Sequence, residues 1–336
     1  MKLLIAYGTR PEYIKIKPLL PELDKANINY TVLYTGQHAD IAPTDIANTR
    51  FIKIIDDPEK CRLDSIVTSI LSSPFIYKGI THVMVQGDTT SAFAVALGAF
   101  HRGIPVIHLE AGLRTYMKTP YPEEFNRTAV SKMASIHLAP TKLNKNNLLK
   151  EGIPEEEIFI TGNTVLDNLV GIATEYGNTI IVTMHRRENF SELKEYFETI
   201  NSLATTHTSL DFLIPVHPNP RVQELKYIFT ASNIKVVKPI PYHEFVVDLA
   251  RCKFIISDSG GLQEEASFLG KRIIVCREST ERPEALEKHG FLCKRPQDLP
   301  LHFTGLMNNY RVEAESPFGD GQSSKRIAEI IRKLDV

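Results

Sequence analysis

The sequence predicts an α/β fold made of two Rossmann-like domains facing each other across a cleft, and three observations carry that expectation. Short apolar runs alternate with longer stretches of helical period along the chain, the pattern of parallel sheets with crossover helices. Most of these runs end in glycine or polar residues, at the strand ends where such sheets bind ligands. Residues 254–275, FIISDSGGLQEEASFLGKRIIV, hold a complete unit of strand, glycine turn, helix and strand, with Leu262, Ala266 and Leu269 on one helix face.

Taken in order, residues 2–7 read as a buried strand, and Gly8-Thr9-Arg10-Pro11-Glu12 turns it into a helix. Pro11 suits the first helical turn, where its missing N–H is no loss. A second strand over 30–34 ends at Thr35-Gly36-Gln37-His38, and residues 39–58 read as an irregular loop with short helical pieces. A helix over 62–71 leads to the strand 82–86, which ends in Gly87-Asp88-Thr89-Thr90 before the helix 92–102. The strand 104–109 ends in Glu110-Ala111-Gly112-Leu113-Arg114. A helix around 123–133, a strand over 136–139 and a helix over 142–150 complete a doubly wound domain. After a bridge at 158–164, strands at 179–183, 212–216, 234–237, 254–257 and 272–275 form a second series. Turn residues cluster at 175–178, which places an N-terminal domain at 1–175 and a C-terminal domain at 176–318. The last helix lies in a tail, 319–336, that is expected to return to the first domain.

Composition narrows the function. With 336 residues the chain is long enough for two domains, and 43% hydrophobic and 24% charged residues are ordinary for a soluble globular protein. A net charge of −1 without a long basic run argues against nucleic-acid and membrane-surface partners. The most apolar run, 92–100, is too short to span a bilayer. The first strand begins at the N-terminus, which leaves no room for a signal peptide. The four cysteines show no CxxC spacing, so neither a zinc site nor a disulfide framework is expected, and a reducing cytoplasm fits.

The candidate site residues stand at strand ends: Arg10, Asp88, Glu110, His185, His217 and Ser259. The helix that starts at Ser259-Gly260-Gly261 offers unpaired N–H groups to an anion, and Glu264 and Glu265 could accept hydrogen bonds from sugar hydroxyls. The plainer reading is a core helix capped by Ser259. Asp88, taken alone, reads first as the N-cap of the next helix. Glu110 directly follows the apolar VIHL run, where desolvation raises a carboxyl pKa, unless it pairs with Arg114 or Arg127. Pro122 starts a helix that puts Glu123 and Arg127 four residues apart on one face, which an ordinary ion pair would also explain. His185-Arg186-Arg187-Glu188 suits an anionic substrate, whereas His217 in PVHPNP reads as a loop histidine. Arg10 and Lys15 could neutralise phosphate or organise carboxylates.

An ordered set of motifs runs along nearly the whole chain: GTRPEYIKIKPL, TGQH, QGDTTSA, HLEAGLRT, YPEEFNR, TGNTVLD, HRRE, PVHPNP, SDSGGLQEEA, ESTERPE and FGDGQSS. In this the sequence resembles the non-hydrolysing UDP-N-acetylglucosamine 2-epimerases, whose fold is similar to the GT-B glycosyltransferases. The resemblance implies that Asp88, Glu110, Glu123 and His185 are catalytic and that Arg10 and Lys15 line the cleft, with Arg127 assisting. It also implies diphosphate contacts at Ser259, Gly260 and Gly261, and ribose recognition by Glu265. The expected protein is a cytoplasmic homodimer that epimerises a UDP-sugar at C2, supplies polysaccharide precursors, and needs neither metal nor redox cofactor. Some positions depart from the family pattern. ADIAPT replaces an acidic continuation after His38, the stretch 51–69 lacks a glycine-glutamine motif, and the loop between Glu110 and Glu123 is about one residue short. Met184 also stands where a glycine normally precedes HRRE. These departures put a second, regulatory sugar-nucleotide site in doubt and raise the prospect of a modified sugar.

Overall fold

Runs such as LLIAY, HVMVQ and VIHL are apolar at successive positions because crossover helices cover both faces of a parallel sheet. The computed structural model, which describes residues 1–37, 49–57, 59 and 61–334, contains two such sheets and places these runs in the middle of the first. The chain divides into unit 1, Met1–Asn168 with Gly319–Val336, and unit 2, Leu169–Phe318.

Unit 1 contains β1 (Leu3–Tyr7), β2 (Tyr30–Tyr34), β3 (Thr49–Phe51), β4 (His82–Gln86), β5 (Val106–Leu109), β6 (Ile136–Ala139) and β7 (Ile158–Ile160). They pair in parallel in the order β3-β2-β1-β4-β5-β6-β7. Unit 2 contains β8 (Thr179–Thr183), β9 (Asp211–Pro215), β10 (Ile234–Val237), β11 (Phe254–Ser257), β12 (Ile273–Cys276) and β13 (Gly290–Cys293), in the order β10-β9-β8-β11-β12-β13. Each sheet winds outward in both directions from its first strand. The winding reverses between β1 and β4 in unit 1 and between β8 and β11 in unit 2, the switch points at which doubly wound sheets hold ligands.

Three strands differ from the sequence reading. Part of the segment read as irregular forms β3, a half-exposed edge strand, the segment read as a bridge forms β7 at the opposite edge of unit 1, and β13 closes an edge of unit 2. Pairing with a neighbour defines each of them. The ADIAPT stretch lies outside the described residues. Residues 175–177 are tied to unit 2, because the amides of Glu175 and Gly177 donate to the carbonyls of Ala250 and Arg251. The buried Lys271 ammonium also donates to the Glu175 and Cys252 carbonyls.

The final helix, Ser323–Leu334, belongs to unit 1. It buries Ile327, Ala328 and Ile331 in the same core as Leu19, Leu20 and Leu23. The Asp167 carboxyl group accepts the amides of Ser323 (3.1 Å) and Ser324 (2.6 Å) at the start of this helix, where N–H groups lack intrahelical partners. Met184 is a core residue of unit 2, packed with Val182 and Leu193, so this departure from the family pattern is spent on packing. Among the described residues no helix is long and apolar enough to cross a membrane.

Candidate active site

In unit 1 the polar residues collect at the carboxyl ends of β1, β4 and β5. The helix Arg10–Ile16 begins directly after β1, with Pro11 in its first turn and Thr9 and Glu12 forming a capping box. That helix carries Lys15 to Glu110, at 2.5 and 2.7 Å from the two carboxylate oxygens. Glu110 is buried and also accepts hydrogen bonds from the Gln86 amide at the end of β4 and from Asn163 Nδ2 at 3.1 Å. The expected alternative partners, Arg114 and Arg127, are engaged elsewhere: Arg114 holds Glu151 through two hydrogen bonds of 2.7 and 2.8 Å. Glu110 has a φ of 67°, a left-handed backbone unusual for a side chain with a Cβ. Such a conformation costs about 1–3 kcal/mol and persists where surrounding contacts over-determine it, as these three donors do.

Asp88 does not cap the following helix. Thr89 does, accepting the Ala92 amide at 3.0 Å, because the glycine turn brings the hydroxyl and not the carboxylate to the helix end. Asp88 is thereby released to pair with the Arg127 guanidinium, which is buried and also reaches Glu124 at 3.2 Å. Asn126 Nδ2 donates to the Asp88 carbonyl at 2.9 Å, so the helix Glu123–Met133 grips this turn through two side chains. Glu123, half-buried, opens that helix. Arg127 thus pairs with Glu124, three residues before it on the helix, as well as with Asp88. Arg10, the first residue of its helix, is exposed.

Two carboxylates that the sequence reading passed over belong to this set. Glu12 is buried and accepts from the amides of Gly8 and Thr9 and the hydroxyls of Thr9 and Thr89. Burial pushes its carboxyl pKa up, against these hydrogen bonds. Glu124 accepts the amides of Thr115 and Tyr116, each at 2.9 Å, and so anchors the loop that follows Glu110. Both stand inside quoted motifs, but spacing alone does not say which carboxylate of GTRPE or YPEE turns inward.

In unit 2 the set stands at the ends of β8, β11 and β12. Asp258, fully buried, accepts the amides of His185 (2.9 Å) and Arg186 (2.8 Å) and the side chain of Asn189 (3.1 Å). Its carboxylate also lies 3.4 Å from His185 Nδ1. The His185 ring stacks on His217, with centroids 4.9 Å apart. His217 is therefore packed against a candidate catalytic residue and is more than a loop histidine. Burial lowers the His185 pKa, and Asp258 opposes that shift.

Ser259 occupies the N-cap position of the helix Gly260–Phe268 but makes no side-chain capping hydrogen bond. The capped-helix reading is therefore incomplete, since the hydroxyl is not used by the helix. The two glycines differ. A Cβ at Gly260 would stand 2.7 Å from Arg282 Nη1 and Glu281 Oε1, whereas one at Gly261 would meet nothing within 4 Å. A methyl group at 260 would therefore displace the Arg282–Glu281 ion pair. At 261 the turn is open, as close approach by a ligand requires. Glu264 is fully buried and accepts from Arg282 Nε at 2.6 Å, which removes it as a sugar-hydroxyl acceptor. Glu265 accepts from the Tyr242 hydroxyl at 2.7 Å, and burial of that phenol, with the Glu265 charge beside it, raises its pKa. Arg282, Tyr242 and Asp258 were not singled out from sequence, although Arg282 and Asp258 lie within quoted motifs.

Comparison with known proteins agrees with this geometry. The family described as UDP-N-acetylglucosamine 2-epimerase matches residues 21–332. The chain is 38% identical to the UDP-N-acetylglucosamine 2-epimerase of Salmonella borreze, over 99% of both chains. It is also 38% identical to that of Campylobacter jejuni, over 99% of this chain and 97% of the relative. Among solved structures it is similar to UDP-GlcNAc 2-epimerase from Neisseria meningitidis bound to UDP-GlcNAc, with a TM-score of 0.88 and 36% identity over 99% of this chain and 100% of that one. The MurG structure from Acinetobacter baumannii, at 13% identity and a TM-score of 0.59 over 99% of this chain and 98% of that one, shares the fold alone.

Proposed function

The chain belongs to the UDP-N-acetylglucosamine 2-epimerase family and is an enzyme that epimerises UDP-GlcNAc, and from that premise we propose how its two units divide the work. Unit 2 holds the nucleotide diphosphate, with the open turn at Ser259-Gly260-Gly261 and the N-terminus of its helix receiving the phosphates and Glu265 receiving the ribose. Unit 1 supplies acid–base chemistry through Asp88, Glu110 and Glu123. The observation that carries this reading is the placement of both sets at the switch points of doubly wound sheets, each built into a buried polar network.

The C2–H bond of an N-acetyl sugar is not activated by a carbonyl. In the proposed route a carboxylate of unit 1 takes the C2 proton while the C1–O bond breaks with its electron pair, releasing UDP and leaving a 2-acetamidoglucal. Re-addition of UDP to C1, with a proton delivered to the opposite face of C2, gives UDP-ManNAc. His185 stabilises charge developing on the diphosphate. Lys15 and Arg127 keep Glu110 and Asp88 in place, so that neighbouring carboxylates each have their own cation. The reading includes a cytoplasmic homodimer making precursors of polysaccharide, with sedimentation equilibrium as the measurement of its assembly state.

Proton NMR of the protein with UDP-GlcNAc in D2O tests the route. Deuterium at C2, with UDP-ManNAc growing in and little free sugar, is the expected result. Free ManNAc with UDP would replace the proposal by hydrolysis. UDP binding without exchange at C2 would point to a modified sugar or to a transferase, which an acceptor-dependence assay separates.

A further inference from the structure

We propose that Asp258 is the positioning residue of His185: it fixes the backbone that carries the imidazole and selects the tautomer with the proton on Nδ1, so that Nε2 is the nitrogen that meets substrate. The proposal rests on the assignment of His185 to the diphosphate given above, but its geometry stands apart from it. Asp258 is fully buried at the end of β11. Its two oxygens receive three N–H groups from the segment after β8: the His185 amide, the Arg186 amide and Asn189 Nδ2. Asn189 Nδ2 also donates to the Cys276 carbonyl at 2.8 Å, which ties the same carboxylate to the end of β12. A buried carboxylate with this many donors holds the strand-end loop in one conformation.

The ring is held as well as the backbone. Nδ1 stands 3.4 Å from Asp258 Oδ1, an ion-pair contact and not a hydrogen bond, and one face of the ring stacks on His217. A carboxylate accepts and does not donate, so the favourable tautomer places the proton on Nδ1 and leaves the Nε2 lone pair on the far side of the ring. The other charged groups around the imidazole are Arg186, Glu188 and Arg277. The two arginines disfavour its protonation, and Glu188 favours it along with Asp258. In serine-protease triads a carboxylate hydrogen-bonded to the imidazole governs the tautomer, and exchanging it for an amide lowers turnover by about 10⁴-fold; Asp258 acts on Nδ1 through its charge at 3.4 Å.

Asp258→Asn keeps the shape but places an amide N–H where Nδ1 needs an acceptor, which favours the Nε2–H tautomer. In the full chain, this variant is expected to lose about 10²–10⁴-fold in kcat while its UDP affinity, measured calorimetrically, stays within about threefold. Retained turnover in a folded variant would overturn the proposal. Because Asp258 also supports the backbone, a second measurement needs no variant at this position. Nitrogen-15 NMR of histidine-labelled wild-type protein, with His185 assigned by loss of its signals in His185→Gln, reads the tautomer directly. A protonated Nδ1 above pH 7 is the expected result. A bare Nδ1 with a protonated Nε2 would overturn the proposal whatever the enzyme's activity proves to be.

Discussion

The switch points of the two units share a topology and differ in how the protein treats them. In unit 1 two of the acidic groups are matched from within: Glu110 by Lys15, Gln86 and Asn163, and Asp88 by Arg127. In unit 2 the glycine turn leaves the Ser259 hydroxyl unused by its helix and the face of Gly261 open. The first arrangement suits groups that must keep exact positions while protons move, since preorganised dipoles need not reorganise during reaction. The second suits a site whose remaining donors are meant for a ligand. One sheet order thus supports two kinds of chemistry, and the difference lies in which strand-end residues find partners.

The comparison breaks most sharply if the unit 1 carboxylates are not the reacting groups. Glu110→Gln keeps the hydrogen-bonding size of the side chain and removes the charge. Turnover is expected to fall by about 10³-fold, within the range for loss of a general acid or base, with UDP affinity unchanged by calorimetry. Normal turnover would remove Glu110 from the mechanism.

Lys15→Met tests the internal matching. It leaves Glu110 buried without its cation, a change expected to cost about 3 kcal/mol in urea unfolding, because removing one partner of a buried pair leaves an uncompensated charge. A loss below about 1 kcal/mol would mean that Gln86 and Asn163 suffice.

The turn before Asp88 rests on a neutral histidine. His108 is fully buried, its Nε2 donates to the Gly87 carbonyl at 2.9 Å, and burial lowers its pKa to about 3. Its cross-strand neighbour His137 is lowered for the same reason. Between the unfolded value near 6.5 and the folded value the unfolded chain binds more protons. The contribution of His108 is therefore complete above that range and is lost as pH falls through it, at up to about 1.4 kcal/mol per pH unit. Urea unfolding at pH 7.5 and 5.5 should show this loss, and a His108→Gln variant should show a shallower dependence. Equal slopes would disprove the assignment.

The smallest effect separates the two glycines of unit 2. Gly261→Ala is expected to leave the melting temperature nearly unchanged and to weaken UDP binding about tenfold, the equivalent of about 1.4 kcal/mol. Gly260→Ala should lower the melting temperature as well, since its methyl group enters the Arg282–Glu281 contact. Equal thermal losses in the two variants would remove the claim that only one of them faces a ligand.

Much of this was legible in the sequence because it depends on local pattern. Apolar runs flanked by glycine turns located the strands of both sheets apart from β3, β7 and β13, and polar residues after those runs marked Asp88, Glu110, His185 and Ser259 as strand-end candidates. Partnership was not legible. Whether Asp88 caps a helix or pairs with Arg127, whether Glu110 meets Arg114 or Lys15, and which glutamate of YPEE anchors a loop depend on partners 39, 95 and 9 positions away in the chain. Sequence spacing carries the period of a strand or helix, which is a property of neighbouring dihedrals. Only the folded chain brings distant donors and acceptors within hydrogen-bond reach, and their burial then decides which of them must be satisfied.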